Sequence, residues 1–387
     1  MANALTALNP EIWKPIVQDY LNNMLVAKAV SNMRCEALLS SGDQVNFPYV
    51  NDVRVQSYAQ GTDLTMDDLT ATQDSLTISQ SKAATFVMDP VQEKQALADY
   101  GAELAYQAAY QLSNNIDQYV IQSGVSNAAD TVAGGSLSTS TFLSKMNDAY
   151  AQLERNNATD GDMFAVIDPE RCALLTETFV ANGFVEADNK LKNQFRGRAA
   201  GFDVYVSNNL KYSQVLSVAT QPTATDTITI YGVTWTLIAD GGTATAGQMK
   251  IGADLADFQA IFLTAINGTT APTAGDYVDI STANRRKYQN AQVTAAAWDT
   301  NTCTITAYGK IGGLETFTDA TDAFGTETSN MLLGRKGAIS MAIQMYPELY
   351  IREETKQIAR NFITHTLYDA AVFTRDKDRL VKMSFNV

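Results

Sequence analysis

The sequence is poor in the residues that carry most enzyme chemistry and metal binding. It contains one histidine, His365, and three widely spaced cysteines, Cys35, Cys172 and Cys303, with no CxxC pair. Three scattered cysteines build neither a disulfide framework nor a zinc site, and they favour a reducing compartment. No GxSxG or HExxH motif is present, which argues against the common hydrolase and zinc-protease sites. We therefore expect no catalytic residues, no cofactor and no metal.

Positive charge and long apolar runs are also scarce. Lys and Arg number 28 against 42 Asp and Glu, which gives a net charge of −14. Sequence-independent binding of nucleic acid depends on Lys and Arg neutralising phosphates, so this composition argues against it. No stretch approaches the roughly 20 apolar residues of a membrane helix, and the first residues show no signal-peptide pattern. These features predict a soluble chain made in the cytoplasm, without a membrane partner.

The remaining candidate sites have simpler structural interpretations. His365 and Asp369 would lie one turn apart in a helix, but ITHTLYDAAVF is better interpreted as part of a sheet–helix surface. Gly309–Gly313 has the wrong spacing for a phosphate-binding loop and lacks its terminal Lys-Ser/Thr. The Asp-containing segments 160–162 and 376–378 do not continue as calcium loops and are interpreted as solvated turns. Three interpretations stay open for a group of basic residues, namely salt bridges across a subunit contact, a solvated face and binding of DNA phosphates. The residues of this group are Arg196, Arg198, Arg285, Arg286 and Lys287.

Residues 43–88 carry a long hairpin pattern around an acidic, glycine-containing turn region, Gly61 to Asp74. About a dozen residues per strand would reach about 40 Å. An isolated two-stranded ribbon is marginal in water, so the hairpin must lie on its own domain or on a neighbouring copy. The alternating apolar positions are Val45, Phe47, Tyr49, Val53, Val55, Leu76 and Ile78.

A long helix is predicted after this hairpin. Asp89 suits the N-cap, Pro90 the first helical position and Gln92 the capping box. The apolar face extends over more than thirty residues, a rod of roughly 45 Å. Its apolar positions are Leu97, Leu104, Ala108, Leu112, Ile116 and Val120.

An α/β pattern follows. We expect a loop over 127–140, helices over 141–156 and 170–181, and strands at 163–167 and in GFDVYVSNNL, residues 201–210. Near Tyr212 the composition shifts, and 214–324 is rich in Thr, Ala, Gly and Asp with period-two runs and one helix, 255–266. This pattern predicts an inserted β-rich module of about a hundred residues. Strands are expected again at 338–345, 348–351 and 380–385.

The order of these elements resembles the major capsid protein of tailed bacteriophages, which has the HK97 fold. The resemblance covers about 1–212 and 326–387. The stretches that carry it are GDQVNFPYV (42–50), YAQGTDLTMDDLT (58–70), LTISQSKAATFVMD (76–89), AAYQLSNNIDQYV (108–120), FRGRAAGFDVYVSNNL (195–210), LLGRKGAISMAIQ (332–344) and LVKMSFNV (380–387).

The resemblance implies an α+β fold of the HK97 type with a β-rich inserted domain. The implied organisation is an N-terminal arm (1–40), an extended hairpin or E-loop (41–88), a peripheral domain with the spine helix (89–160, with strands at about 345–387), an axial domain (161–213 and 326–344) and the inserted domain (214–325).

The resemblance also implies a function. Copies of the chain would assemble as pentamers and hexamers into an icosahedral head shell around double-stranded DNA, which they contact only weakly, with a portal and a scaffolding protein as partners. An encapsulin-type compartment shell, a β-rich tail or adhesion protein and, more remotely, an enzyme of unknown type remain alternatives. Candidate intersubunit contacts are Phe47, Tyr49, Asp63, Asp67, Asp68, Arg196 and Arg198.

Overall fold

The computed structural model describes residues 26–39, 42–50, 52–66, 68, 70–88, 100–181, 197–309, 311, 323–353 and 360–387. Its helices are α1 (Ala27–Val30), α2 (Tyr100–Asn127), α3 (Phe142–Arg155), α4 (Pro169–Ala181), α5 (Leu255–Asn267) and α6 (Thr282–Asn290). Its strands are β1 (Ser31–Asn32), β2 (Gln44–Val50), β3 (Ala71–Thr77), β4 (Gln80–Met88), β5 (Asp130–Ser136), β6 (Met163–Ile167), β7 (Arg198–Ala199), β8 (Phe202–Val206), β9 (Lys211–Ser217), β10 (Thr227–Ile230), β11 (Val233–Ile238), β12 (Gln248–Lys250), β13 (Tyr277–Val278), β14 (Thr294–Ala295), β15 (Thr302–Tyr308), β16 (Ala323–Phe324), β17 (Thr328–Arg335), β18 (Ile339–Glu353), β19 (Arg360–Ala371) and β20 (Leu380–Asn386).

The chain divides into two compact units. The first comprises Met1–Asn127 with Lys336–Arg379, and the second comprises Ala128–Arg335 with Leu380–Val387. Most of the predicted arm lies outside the described residues, as does the predicted start of the long helix at Asp89, Pro90 and Gln92.

The first unit is built on a four-stranded sheet in the order β1-β18-β19-β4. The two strands predicted at 338–345 and 348–351 form one strand, β18, which pairs antiparallel with β19. The register shifts between Ile343 and Glu348. Pro347 lies in this interval, and a residue without an N–H cannot contribute to a regular ladder.

The predicted long helix is present as α2, which packs against β4, β18 and β19. Alanines at 105, 108 and 109 are buried, and small side chains allow the helix to approach the sheet closely. The buried positions predicted at Ala108, Leu112, Ile116 and Val120 are confirmed. The prediction for Leu104 is wrong, because its side chain is 38% exposed. Leu97 lies outside the described residues.

The predicted hairpin is shorter than expected. β2 and β3 pair antiparallel over seven residues each, from Gln44–Thr77 to Val50–Ala71. The chain then leaves the hairpin, because β4 pairs with β19 and joins the four-stranded sheet. Val53 and Val55, predicted as strand positions, lie in a segment that forms no strand.

The second unit contains a ten-stranded sheet. Its main path is β14-β15-β9-β17-β6-β8-β7, with β16 on β9, β20 on β17 and β5 on β20. All five residues of β6 are buried between β17 and β8, which explains the continuous apolar run MFAVI. The predictions of β6, β8, α3 and α4 are confirmed.

The predicted loop over 127–140 is wrong in part. Asp130–Ser136 forms β5, which pairs in parallel with β20. A Cβ on Gly134 would lie 2.8 Å from the carbonyl oxygen of Ser384, so glycine is required where the two backbones approach closely. The Gly-rich composition therefore reflects strand packing here rather than a loop.

The region predicted as an inserted module contributes to two sheets. β10 to β13 form a separate four-stranded sheet, whereas β9 and β15 pair with each other and belong to the ten-stranded sheet with β17. The predicted helix 255–266 is confirmed as α5, and α6 is an additional helix. α5 packs against β12 and also against β14 of the larger sheet. Residues 128–335 accordingly lie within one compact unit.

Candidate intersubunit surface

The paired strands β2 and β3 form the stem of the hairpin. The inner face of this stem packs against other residues of the first unit. Val45, Phe47 and Ile78 contact a buried cluster of Cys35, Leu39, Leu76 and Ala342. The ring of Phe47 lies 4.9 Å from that of Phe373, centroid to centroid. Packing within the same chain therefore explains the alternation of apolar and polar residues in β2.

Thr374 and Arg375, just after β19, fix the stem. Both the backbone N–H and the hydroxyl of Thr374 donate to the carboxylate of Asp74, each at 2.8 Å. The guanidinium of Arg375 donates to the carbonyl oxygen of Val50 at 2.6 Å and lies 5.7 Å from the ring centroid of Tyr49. The Thr374 contacts hold β3 at the middle of the ladder, where Asp74 lies opposite Phe47, and the Arg375 contact holds β2 at Val50, where the ladder stops.

A second group of contacts holds the root of the hairpin. The amide of Gln344 donates to the carbonyl oxygens of Leu39 at 3.0 Å and Gly42 at 2.7 Å. The carboxylate of Asp369 accepts from the N–H and the hydroxyl of Ser79 at 2.8 and 2.6 Å. It also accepts from the hydroxyl of Tyr119 on α2 at 2.8 Å. The stem is thus constrained at its root as well as at its outer end.

Beyond the stem, residues 52–66 form a tip that has no β-ladder. Hydrogen bonds within the tip run from the Gln56 side chain to the Thr65 carbonyl and from Thr62 to the Ala59 carbonyl. At the start of the tip, the carboxylate of Asp52 lies 3.5 Å from the guanidinium of Arg375. Its large apolar side chains are exposed to solvent, namely Val53 (70%), Val55 (100%), Tyr58 (67%), Leu64 (49%) and Met66 (86%). Clustered exposed apolar side chains are typical of a surface that another molecule covers.

The structure locates five of the seven predicted contact residues. Phe47 and Tyr49 belong to the stem and contact Phe373 and Arg375 of their own chain. Asp63 is exposed in the tip, and Asp68 is exposed just beyond it. The predicted residues that lie outside the described ranges are Asp67 and Arg196.

Arg198 lies in the second unit. Its guanidinium is 3.0 Å from Asp203 and 3.8 Å from Asp162, both in the same chain. Arg285, from the same basic group, donates to the carboxylate of Asp279 and to the carbonyl oxygens of Ala265 and Ile266 in the last turn of α5. Both cations therefore make contacts within their own chain, and the side chain of Arg198 is still 66% exposed.

Sequence reasoning missed Thr374 and Arg375. They lie 300 and 325 positions from their partners Asp74 and Val50. Both residues begin a short 3-10 helix, Thr374–Arg379, and no local pattern marks such residues as the support of a distant hairpin, so the sequence contains no signal that would have identified them.

The described residues give little support to a catalytic or metal-binding site. His365 lies in strand β19 rather than in a helix, and its Nε2 is 2.9 Å from the hydroxyl of Ser81. All three cysteines are buried, and burial raises the pKa of the Cys303 thiol to about 11. Within the described ranges, no group of three or more His, Cys, Asp or Glu side chains is placed to hold a metal ion.

The buried carboxyl group of Asp168 has a structural role. Asp168 accepts from the hydroxyl of Tyr212 at 3.1 Å and from the N–H of Arg171 at 3.3 Å. Burial raises the pKa of Asp168. The guanidinium of Arg171 donates to the carbonyl oxygen of Asn386 at 3.1 Å and lies over the ring of Phe385. This cluster therefore anchors β20 to the start of α4.

Of the helices in the described ranges, none combines the length and the apolar character needed to cross a bilayer.

No family model matches the sequence, and no curated protein matches it. Among solved structures, a chain of Mycobacterium phage Che8 is 13% identical, with a TM-score of 0.57 over 93% of this chain and 90% of that chain. A chain of Mycobacterium phage Ogopogo is 8% identical, with a TM-score of 0.50 over 93% and 91%. The capsid structure of the Cyanophage P-SCSP1u contains a chain that is 12% identical, with a TM-score of 0.48 over 93% and 88%. The first two matches show a shared fold, which confirms the HK97-like α+β fold expected from the sequence.

Proposed function

We propose that this chain is the major capsid protein of a tailed bacteriophage. Copies of it form the icosahedral head shell that encloses double-stranded DNA. The observation that carries the proposal is the tip, which presents five exposed apolar side chains on a stem held at both ends. A soluble subunit that keeps such a segment away from its own core has a binding surface for another molecule.

The fold supports the same proposal. A chain from a phage shares it along nearly the full length of both proteins. Fold alone does not determine function, so the proposal depends on the tip as well.

In the proposed assembly, many weak contacts between subunits act together to hold the shell. Each tip contact is too small to hold two subunits firmly, but closed symmetry repeats it around pentamers and hexamers and throughout the shell. In this arrangement Asp63, Asp67 and Asp68 contact a neighbouring copy, whereas Phe47 and Tyr49 set the position of the stem. Arg196 and Arg198 are assigned to a second intersubunit contact.

The proposed organisation follows the predicted segments. Residues 1–40 form the arm, 41–88 the hairpin, 89–160 with 345–387 the peripheral domain, and 161–213 with 326–344 the axial domain. The inserted region, 214–325, lies on the outer surface of the shell.

The net charge of −14 fits a container that contacts its DNA only weakly. A portal and a scaffolding protein complete the proposed set of partners. The chain is made in the host cytoplasm, acts in the virion and performs no catalysis.

Electron microscopy of the purified full-length chain tests this function. Closed polyhedral particles are the expected result. Absence of particles at every protein and salt concentration would contradict the proposal. Mass spectrometry of the particle contents separates the compartment-shell alternative, because a specifically enclosed enzyme would favour an encapsulin-type shell over a phage head.

A further inference from the structure

Exposed acidic side chains gather at one end of the four-stranded sheet β10-β11-β12-β13. Because β11 and β12 are parallel, both strands end at the same edge of this sheet. Asp240 follows β11 by two residues, and Asp254 follows β12 by four. Asp254 is also the N-cap of α5, and Asp257 lies in the first turn of that helix. All three aspartates are exposed, and we call this surface the acidic end.

The opposite end of the same sheet carries positive charge. Tyr288 of α6 donates a 3.0 Å hydrogen bond to the carbonyl oxygen of Ile230, which pairs with Val233, the first residue of β11. Helix α6 therefore lies at the edge where β11 begins, and a strand of this length spans roughly 20 Å to the acidic end. Arg286 and Lys287, just before Tyr288, are exposed on α6, and we call them the basic end.

The two cations of the basic end are not neutralised by their own chain. Within the described ranges, neither Arg286 nor Lys287 has an acidic side chain within salt-bridge distance. The neighbouring Arg285 differs, because it pairs with Asp279. Unscreened attraction between surface charges extends over about 10 Å at about 0.1 M salt. A surface that presents carboxylates is therefore the partner that complements the basic end.

A second copy of the chain supplies such a surface. Copies that each carry a net charge of −14 repel one another, so contact between them is favoured where the local charges have opposite signs. The acidic and basic ends lie at opposite edges of one sheet. The basic end of one copy can therefore meet the acidic end of the next copy, which leaves the first copy's own acidic end available to a third.

We propose that the basic end of one copy, Arg286 and Lys287, binds the acidic end of a neighbouring copy, Asp240, Asp254 and Asp257. The contact is head-to-tail, and such contacts close into rings when the rotation between copies permits it. Each exposed ion pair is weak, but repetition throughout a shell makes its effect measurable. This inference rests on the proposed shell function and gives the inserted region a role in joining subunits.

Charge reversal in the full-length chain tests the contact. Arg286→Glu with Lys287→Glu makes the basic end negative, and Asp240→Lys with Asp257→Lys makes the acidic end positive. Each pair of changes should raise the protein concentration at which half of the chain is assembled by at least about fivefold, because like charges then face each other. The four changes together restore opposite charges and should return this concentration to within about twofold of the unmodified value. Sedimentation velocity at about 0.1 M salt measures it.

Two further variants serve as controls. Lys145→Glu with Arg155→Glu, on α3, changes the net charge by the same amount as the basic-end variant and should leave assembly unchanged. Asp240→Asn with Asp257→Asn removes the negative charge but keeps the side-chain oxygen that accepts the Ala253 N–H. It should weaken assembly in the same direction as the lysine variant, and thermal unfolding of the subunits shows which variants are folded.

The outcomes separate this contact from the shell itself. If the unmodified chain and all variants form particles equally well, the contact is overturned while the shell function stands. If the basic-end variant weakens assembly and the four changes together do not restore it, the basic end binds another acidic surface or a nucleic acid, and the contact is overturned. If the unmodified chain forms no particles, the shell function fails, and this contact fails with it.

Discussion

The hydroxyl of Tyr119 donates a 2.8 Å hydrogen bond to the carboxylate of Asp369, 250 positions away in the chain. The same carboxylate accepts two hydrogen bonds from Ser79, which links β3 to β4. One buried acid therefore connects the long helix, the central strand β19 and the root of the hairpin. The orientation of the hairpin depends on this connection.

The Tyr119–Asp369 hydrogen bond predicts that the contribution of Tyr119 to folding stability is lost at alkaline pH. Burial, and then the Asp369 carboxylate, raise the pKa of Tyr119 from 10.0 to about 12. A raised folded-state pKa gives a contribution that is complete below pH 10 and is lost as the pH rises through 12. Tyr119→Phe should cost about 1 kcal/mol at about pH 8 and less at about pH 11. Urea unfolding at the two pH values measures this, and an equal difference at both would contradict it.

Two turns in the second unit provide a matched test of backbone strain. Thr223–Asp226 and Thr273–Asp276 share the same hydrogen bonds, from the Thr N–H to the Asp carboxylate. Thr225 has φ 87°, and Gly275, at the equivalent position, has φ 89°. A β-branched residue is strained there, so Thr225→Gly should stabilise the protein by about 0.5–1 kcal/mol after the entropy cost of glycine.

Gly275→Thr is the reciprocal variant. A Cβ at Gly275 would meet no atom within 4 Å, so its effect comes from the backbone alone. Gly275→Thr should destabilise the protein by a similar amount. Thermal unfolding of both variants checks the prediction, and changes of the same sign would refute it.

The stem contacts predict unequal roles for two aspartates. Asp74 accepts two hydrogen bonds from Thr374, whereas Asp63 lies exposed in the tip. Asp74→Ala should destabilise the first unit by about 1–2 kcal/mol and accelerate amide exchange in β3. Asp63→Ala should leave both unchanged in free subunits. Similar exchange rates in the two variants would show that the Thr374 contacts do not hold the stem.

The long helix offers a paired test of its buried face. Leu104 is 38% exposed and Leu112 is 4% exposed. Leu112→Asp places an unpaired charge in the core and should abolish soluble expression. Leu104→Asp should be tolerated in the subunit, and the soluble yields of the two variants provide the measurement. Equal loss of yield would show that Leu104 is buried during folding.

Local patterns predicted much of the fold. The apolar period of α2 identified Leu112, Ile116 and Val120 as buried, because one helix face meets the sheet along its length. The run MFAVI identified a strand buried on both faces. Leu104 was misplaced because periodicity locates the apolar face only approximately: the neighbouring Ala105 is 2% exposed, whereas Leu104 is 38% exposed.

The misses share a physical cause, which is pairing between distant residues. The strand Asp130–Ser136 forms because β20, about 250 positions later, supplies its partner. Thr374 and Arg375 support a hairpin far away in sequence. Composition also does not show that β15, inside the predicted insertion, pairs with Lys211–Ser213 of β9, which precede the insertion. None of these partners is visible in a local window of sequence.

The exposed tip, as proposed above, joins copies of this chain into a shell. Sedimentation velocity tests it with the unmodified chain, a tip variant and a control variant. The tip variant replaces Val53, Val55 and Met66 with Ser, and the control replaces the exposed Val215 and Val278 of the second unit with Ser. Fast-sedimenting closed particles for the unmodified and control chains, with folded but unassembled subunits for the tip variant, are predicted. Identical particles from the tip variant, or none from the unmodified chain, would show that the tip does not join the subunits.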